Sequence, residues 1–218
     1  MATVLLAGGL CVAGGALPGS LFAQQKKGAP AAKELTADQV HKPGDLPDII
    51  IGNAEAPVTI VEYASMTCPH CATFHTTVLP TLKQKYVDTG QVRFIFREFP
   101  LDNVAAAASM LARCAGGEQT AALVAKLFET QEQWAFVRGS AVPALLKVAE
   151  SAGITQETFD KCLKDEALLA KLIATRERGS KELGVSSTPS FFINGKRLEG
   201  RADQIATFEQ AIEPLLKK

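Results

Sequence analysis

The sequence predicts an α/β fold in which strand-bearing first and last parts are separated by an inserted helical subdomain. Two β-rich apolar runs, residues 58–63 and 92–99, lie in the first part, and a hairpin signal, Asn194-Gly195, lies in the last. Between them, from Asp102 to Leu183, apolar residues recur at helical spacing and glycines mark several helix ends. A chain of 218 residues, 47% hydrophobic, is long enough for one domain with an insertion and too apolar for disorder.

The 23 basic and 23 acidic residues cancel, which excludes a broad nucleic-acid or anionic-membrane surface built on clustered Lys and Arg. Their placement says more. Residues 1–25 carry no charge at all. Residues 1–23 read as an export signal, an apolar core followed by small residues with cleavage after Ala23. The rival is a membrane anchor, but five glycines and Pro18 dilute the stretch and no charge follows immediately to stop transfer. No Lys or Arg precedes the core, so a start codon upstream of Met1 is expected. Residues 24–47, rich in Ala, Lys, Gln and Pro, read as a linker or mobile arm in which His41 is solvated.

The domain proper then divides into 48–101, the inserted helices over 102–183, and a closing part over 184–218. Residues 58–63 form a buried strand, and the turn after it carries Cys68-Pro69-His70-Cys71. Pro69 suits the first helical turn, where a missing N–H costs nothing. Phe74, Val78, Leu82 and Tyr86 give the following helix one apolar face, which Pro80 should kink. Cys68 therefore sits at a helix N-terminus, where unpaired N–H groups and the helix dipole stabilise a thiolate, and His70 adds to the effect. A lowered pKa favours the reduced form and makes the disulfide a stronger oxidant, so replacing His70 should make the potential more negative. Cys71, one turn in and better buried, suits the resolving role. The insertion reads as helices over 103–115, 119–134, 142–152, 156–164 and 166–183, and the closing helix covers 203–216.

Strand, loop, Cys-Pro-His-Cys and helix resemble the thioredoxin fold, and more narrowly the DsbA-like thiol:disulfide oxidoreductases of bacterial cell envelopes. The run from Gly184 to Gly195 strengthens the resemblance, because Pro189 matches the family's cis-proline facing the active-site disulfide. Thr188 matches the residue whose backbone pairs with bound substrate. The helical insertion also falls where the family has one. The resemblance implies a periplasmic enzyme with no cofactor or metal. Its partners would be unfolded exported proteins and a membrane quinone-linked reoxidant of the DsbB kind. Acids at the position of Glu62 lie beneath the disulfide in this family and assist proton transfer. The competing reading of Glu62 is an outward-facing side chain on the other strand face.

Other readings compete for the cysteines. A zinc site needs four ligands, and no second closely spaced pair accompanies Cys68 and Cys71, which disfavours a metal-handling or redox-sensing binding protein. The same site could instead reduce or isomerise disulfides. Cys11 leaves with the signal, and the residue before it, Leu10, does not fit a lipoprotein attachment site. Cys114 and Cys162, each in an apolar helical context, are expected to form a structural disulfide; the loop-entropy model gives it at most about 4 kcal/mol. His75 is expected at the surface or core edge, and Trp134 as a core anchor. Met66 fits either a peptide-binding surface or packing.

Overall fold

The structure, a computed structural model, describes residues 35–217. The expected export signal at 1–23, with its Cys11, and the beginning of the arm lie outside the described residues. Among these residues, no helix is long and apolar enough to cross a membrane.

A five-stranded mixed sheet organises the fold, in the order β1 (Ile49–Ile51), β3 (Val92–Glu98), β2 (Val58–Ala64), β4 (Ser190–Ile193), β5 (Lys196–Arg197). β2 and β3 run parallel, while β1, β4 and β5 are antiparallel to their neighbours. Every residue of the central β2 is buried, because both of its faces are covered. Ile60 and Ala64 join a core with Phe74, Phe94, Phe96 and Phe191, whereas Val61 and Tyr63 face a second one with Ile95, Phe99 and Phe192. A strand's period of two puts Glu62 on the side of Ile60 and Ala64. The outward-facing alternative for Glu62 therefore falls, since neither face of β2 meets water.

The segment expected to be a mobile arm is folded over its second half, which corrects that reading. Thr36 and Gln39 form a reciprocal capping box that starts α1 (Ala37–His41). Val40 is completely buried. From the sheet, the buried Arg97 donates to the carbonyls of Val40 (2.7 Å) and His41 (3.0 Å), to Tyr63 Oη (3.1 Å) and to both carboxyl oxygens of Asp48 (2.7 and 2.9 Å). His41 is half-buried, its Nε2 without a partner, so the expected solvated linker histidine is corrected as well. The hairpin turn has positive φ at Asn194 (45°) and Gly195 (86°), as its sequence predicts. A Cβ at Gly195 would come within 2.6 Å of the Ala37 backbone, so the turn needs glycine for α1 to lie against it.

One long helix runs over residues 69–87. It comprises α2 (Pro69–Thr73), a wide π turn (Phe74–Val78), α3 (Leu79–Leu82) and a second π turn (Lys83–Val87). Pro80 has no N–H to donate to the carbonyl four residues back, and the kink expected there takes the form of these widened turns. The inserted helices are α4 (Asn103–Ala115), α5 (Gly117–Glu129), α6 (Gln131–Trp134), α7 (Val142–Ser151), α8 (Gln156–Leu163) and α9 (Glu166–Leu183). Asp102 caps α4 by accepting from the Ala105 amide at 2.7 Å, and Gly184, left-handed at φ 67°, ends α9. The single helix expected over 119–134 is two: it starts earlier, at Gly117, and breaks at Thr130, which leaves helical geometry (φ −103°, ψ 13°). Trp134 is completely buried and donates to the Leu127 carbonyl at 3.0 Å. A disulfide joins Cys114 at the end of α4 to Cys162 in α8, with Cα atoms 6.1 Å apart. The closing helix, α10, covers Ile205–Leu216.

Candidate active site

The central β2 ends at Ala64, and residues 65–67 turn the chain into the helix. Ser65 anchors this turn: its carbonyl accepts from the Cys68 amide (3.1 Å) and its hydroxyl from the Leu101 amide (3.3 Å). Thr67 Oγ1 donates to Asp102 Oδ2 at 2.7 Å, tying the loop to the start of α4. Met66 is completely buried, which settles its two readings in favour of packing.

Cys68 is the N-cap residue of α2 and Pro69 its first helical residue. Both thiols are free, with Cys68 6% exposed and Cys71 not exposed at all. Access to the Cys68 sulfur is therefore narrow. The Cys68 pKa is lowered to about 5, first by hydrogen bonding with the Cys71 side chain, against burial, and then by Thr188 and the main-chain amides of Cys71 and His70. His70 thus acts through its main-chain amide, where the reading from sequence had considered its imidazole. Burial, the Cys68 side chain and the charges of Glu62 and Cys68 push the Cys71 thiol far up. One cysteine is poised to react and its neighbour to keep its proton.

Thr188–Pro189 is a cis peptide facing Cys68, whose Sγ donates to the Thr188 carbonyl at 3.3 Å. That contact favours the thiol. The Thr188 side chain works the other way and lowers the Cys68 pKa; its hydroxyl is buried without a hydrogen-bond partner, so it can turn its proton to the sulfur once the thiolate forms. His70, Thr73, Thr188, Pro189, Arg201 and Asp203 line a concavity beside the cysteine turn.

Glu62 is completely buried beneath the site, and its Oε2 lies 2.8 Å from His75 Nε2. Burial raises the Glu62 pKa, while the charge and hydrogen bond of His75 work against the rise. His75 was expected at the surface or core edge; it is buried and belongs to this group. Gln131 was also missed. From α6 its Nε2 donates to the carbonyls of Met66 (2.7 Å) and Cys68 (3.1 Å), so the inserted helices hold the cysteine turn directly. Residues 68–71, 62 and 188–189 are brought together, whereas Cys114 and Cys162 lie in a separate cluster with Met110 and Leu172.

A thioredoxin family profile matches residues 45–214. A Rickettsia bellii protein provisionally named a protein-disulfide oxidoreductase is 36% identical over 169 residues, covering 76% of this chain and 65% of that protein. The chain thus spans slightly under two thirds of that relative's length. Among solved structures, Wolbachia pipientis alpha-DsbA1 is similar with a TM-score of 0.76 and 30% identity, over 84% of this chain and 96% of the other. A Novosphingobium aromaticivorans structure, described as a protein-disulfide isomerase, gives a TM-score of 0.69 and 26% identity, over 78% of this chain and 98% of the other. With its cysteine turn facing a cis-proline and a helical insertion between the sheet's halves, the chain belongs to the thioredoxin family and is DsbA-like within it.

Proposed function

We propose that the chain is a thiol:disulfide oxidoreductase of the bacterial periplasm, an oxidase that donates the Cys68–Cys71 disulfide to folding exported proteins. The opposed pKa shifts of the two cysteines carry this reading. A thiolate held at about pKa 5 stabilises the reduced enzyme, so the disulfide form readily gives up its oxidising equivalents. A substrate thiolate attacks Cys68 Sγ, a mixed disulfide forms, and Cys71 leaves and takes a proton. A second substrate thiol then attacks the substrate sulfur of the mixed disulfide and releases Cys68 as a thiolate. Thr188 and Pro189 offer the substrate a backbone edge beside the sulfur. The uncharged export-like start and the Cys114–Cys162 bond suit an oxidising compartment. Reoxidation falls to a membrane quinone-linked partner of the DsbB kind, and the chemistry needs no metal or organic cofactor.

Equilibration with glutathione redox buffers tests the direction. A potential near that of strong oxidants, about −120 mV, supports donation, and one near about −270 mV makes the enzyme a reductase. The likeness to the Novosphingobium isomerase keeps a second reading in view. Recovery of activity from a scrambled disulfide substrate, without added oxidant, distinguishes isomerisation.

A further inference from the structure

Beneath the cysteine turn lies a buried pair that thiol exchange at Cys68 does not itself require. The Glu62 carboxyl is completely buried, and His75, 2.8 Å away, keeps 3% side-chain exposure. The imidazole is held in place: it stacks on Phe128 at 4.1 Å between centroids and meets Phe74 and Phe96 edge-on. Only one carboxyl oxygen is engaged. Glu62 Oε1 is buried with no hydrogen-bond partner, an arrangement that native interiors rarely leave without a use. Cys71 and His75 are four residues apart on one helix, so resolving thiol and imidazole lie on the same side of it, over β2. The charge on Glu62 acts on the Cys71 thiol, and that on Cys68 acts on Glu62. Besides His75, the titratable group acting on Glu62 is Cys68, while β3 and α5 present the pair with the phenyl rings of Phe94, Phe96 and Phe128.

Building on the oxidoreductase reading, in which the resemblance already gives an acid at the Glu62 position a part in proton transfer, we propose that His75 is the positioning residue for it: the imidazole holds Glu62 through Oε2 and so leaves Oε1 for that exchange with Cys71. When a mixed disulfide on Cys68 is resolved, the Cys71 proton passes to Glu62 Oε1. The sulfur lone pair forms the bond to Cys68 Sγ, and the departing thiolate takes the electron pair of the broken bond. The enzyme dithiol is oxidised and the external disulfide is reduced. In the opposite direction, the proton on Glu62 quenches the Cys71 thiolate as substrate opens the disulfide.

The test follows the reduced full-length protein as glutathione disulfide oxidises it, with the Cys68–glutathione mixed disulfide trapped by acid and quantified by mass, from about pH 6 to about pH 8. His75→Phe keeps the ring stacking and deletes the donor; resolution should slow by roughly a hundredfold and its pH profile should flatten. Glu62→Gln should slow it as much, and the double variant no more than either. His75→Gln, which retains an N–H donor, should recover most of the rate. The Cys68 thiolate absorbance should titrate in His75→Phe where it does in the wild type, which separates a positioning role from damage to the turn. Wild-type rates in His75→Phe, or single losses that multiply in the double variant, would overturn the proposal. Should His75→Phe not fold, the cycle runs with His75→Leu, which also deletes the donor; its loss of rate must vanish once Glu62 is Gln. Wild-type protein that does not exchange with glutathione disulfide at all overturns the oxidoreductase reading itself.

Discussion

Two sulfurs one helical turn apart are pushed in opposite directions, and both shifts come from their surroundings rather than from the cysteines. Cys68 Sγ meets helix-start amides and the Thr188 hydroxyl, while Cys71 lies among apolar side chains with a buried acid nearby. Alkylation of Cys68 should accordingly fall to half its plateau near pH 5, where an ordinary thiol would do so near pH 9. The sign for stability follows from linkage. A lowered thiol pKa stabilises the reduced fold fully above the unfolded value, and the contribution is lost as pH falls toward about 5. The denaturation midpoint of the reduced protein, compared with Cys68→Ser, should therefore gain on that variant as pH rises from 5 to 9. Thr188→Val removes a donor to the thiolate and should raise the alkylation midpoint by about one to two units. The sequence placed Cys68 and Cys71 well, because a Cys-x-x-Cys at a strand-to-helix turn is a local signal. It could not place His75 against Glu62: thirteen positions separate a strand residue from a helical one, and only the packed fold decides whether they meet.

Among the elements, those with strong periodicity and clear ends were the most legible. The helix over 103–115 and that over 166–183 carry an acidic cap at one end and glycine at the other, and both appear with the expected bounds. α6 was hidden because nothing local marks Thr130 as a break; the break is fixed by what Gln131 reaches, carbonyls more than sixty residues away. α1 was missed for the opposite reason. Its capping box, Thr36 to Gln39, is readable, but only five helical residues follow and the composition around them resembles a linker. The side chain that fastens α1 is the buried Arg97, and Arg97→Leu should show what the clamp contributes. It strands the carboxylate of Asp48 and two carbonyls, so a loss of about 3–5 kcal/mol is expected from the urea midpoint.

Across the whole molecule, the inserted helices serve the site twice. Gln131 holds the cysteine turn from one side, and the Cys114–Cys162 bond ties α4, which starts at the turn's Asp102 anchor, to α8. Replacing both of these cysteines by Ala should lower stability by up to about 4 kcal/mol, less where the denatured chain keeps structure, as read from denaturant midpoints with Cys68 and Cys71 reduced. Under the proposed function, the balanced charge, which excluded a nucleic-acid surface, suits an enzyme that meets many partners through one sulfur and a backbone edge. The Arg97 clamp also bears on how the domain is cut. A fragment trimmed to begin at residue 45, where the family match starts, would lose the Val40 and His41 carbonyls and leave a buried guanidinium with Asp48 and Tyr63 alone. The smallest stable unit of this chain should therefore begin before Thr36, some ten residues ahead of the boundary that family resemblance draws.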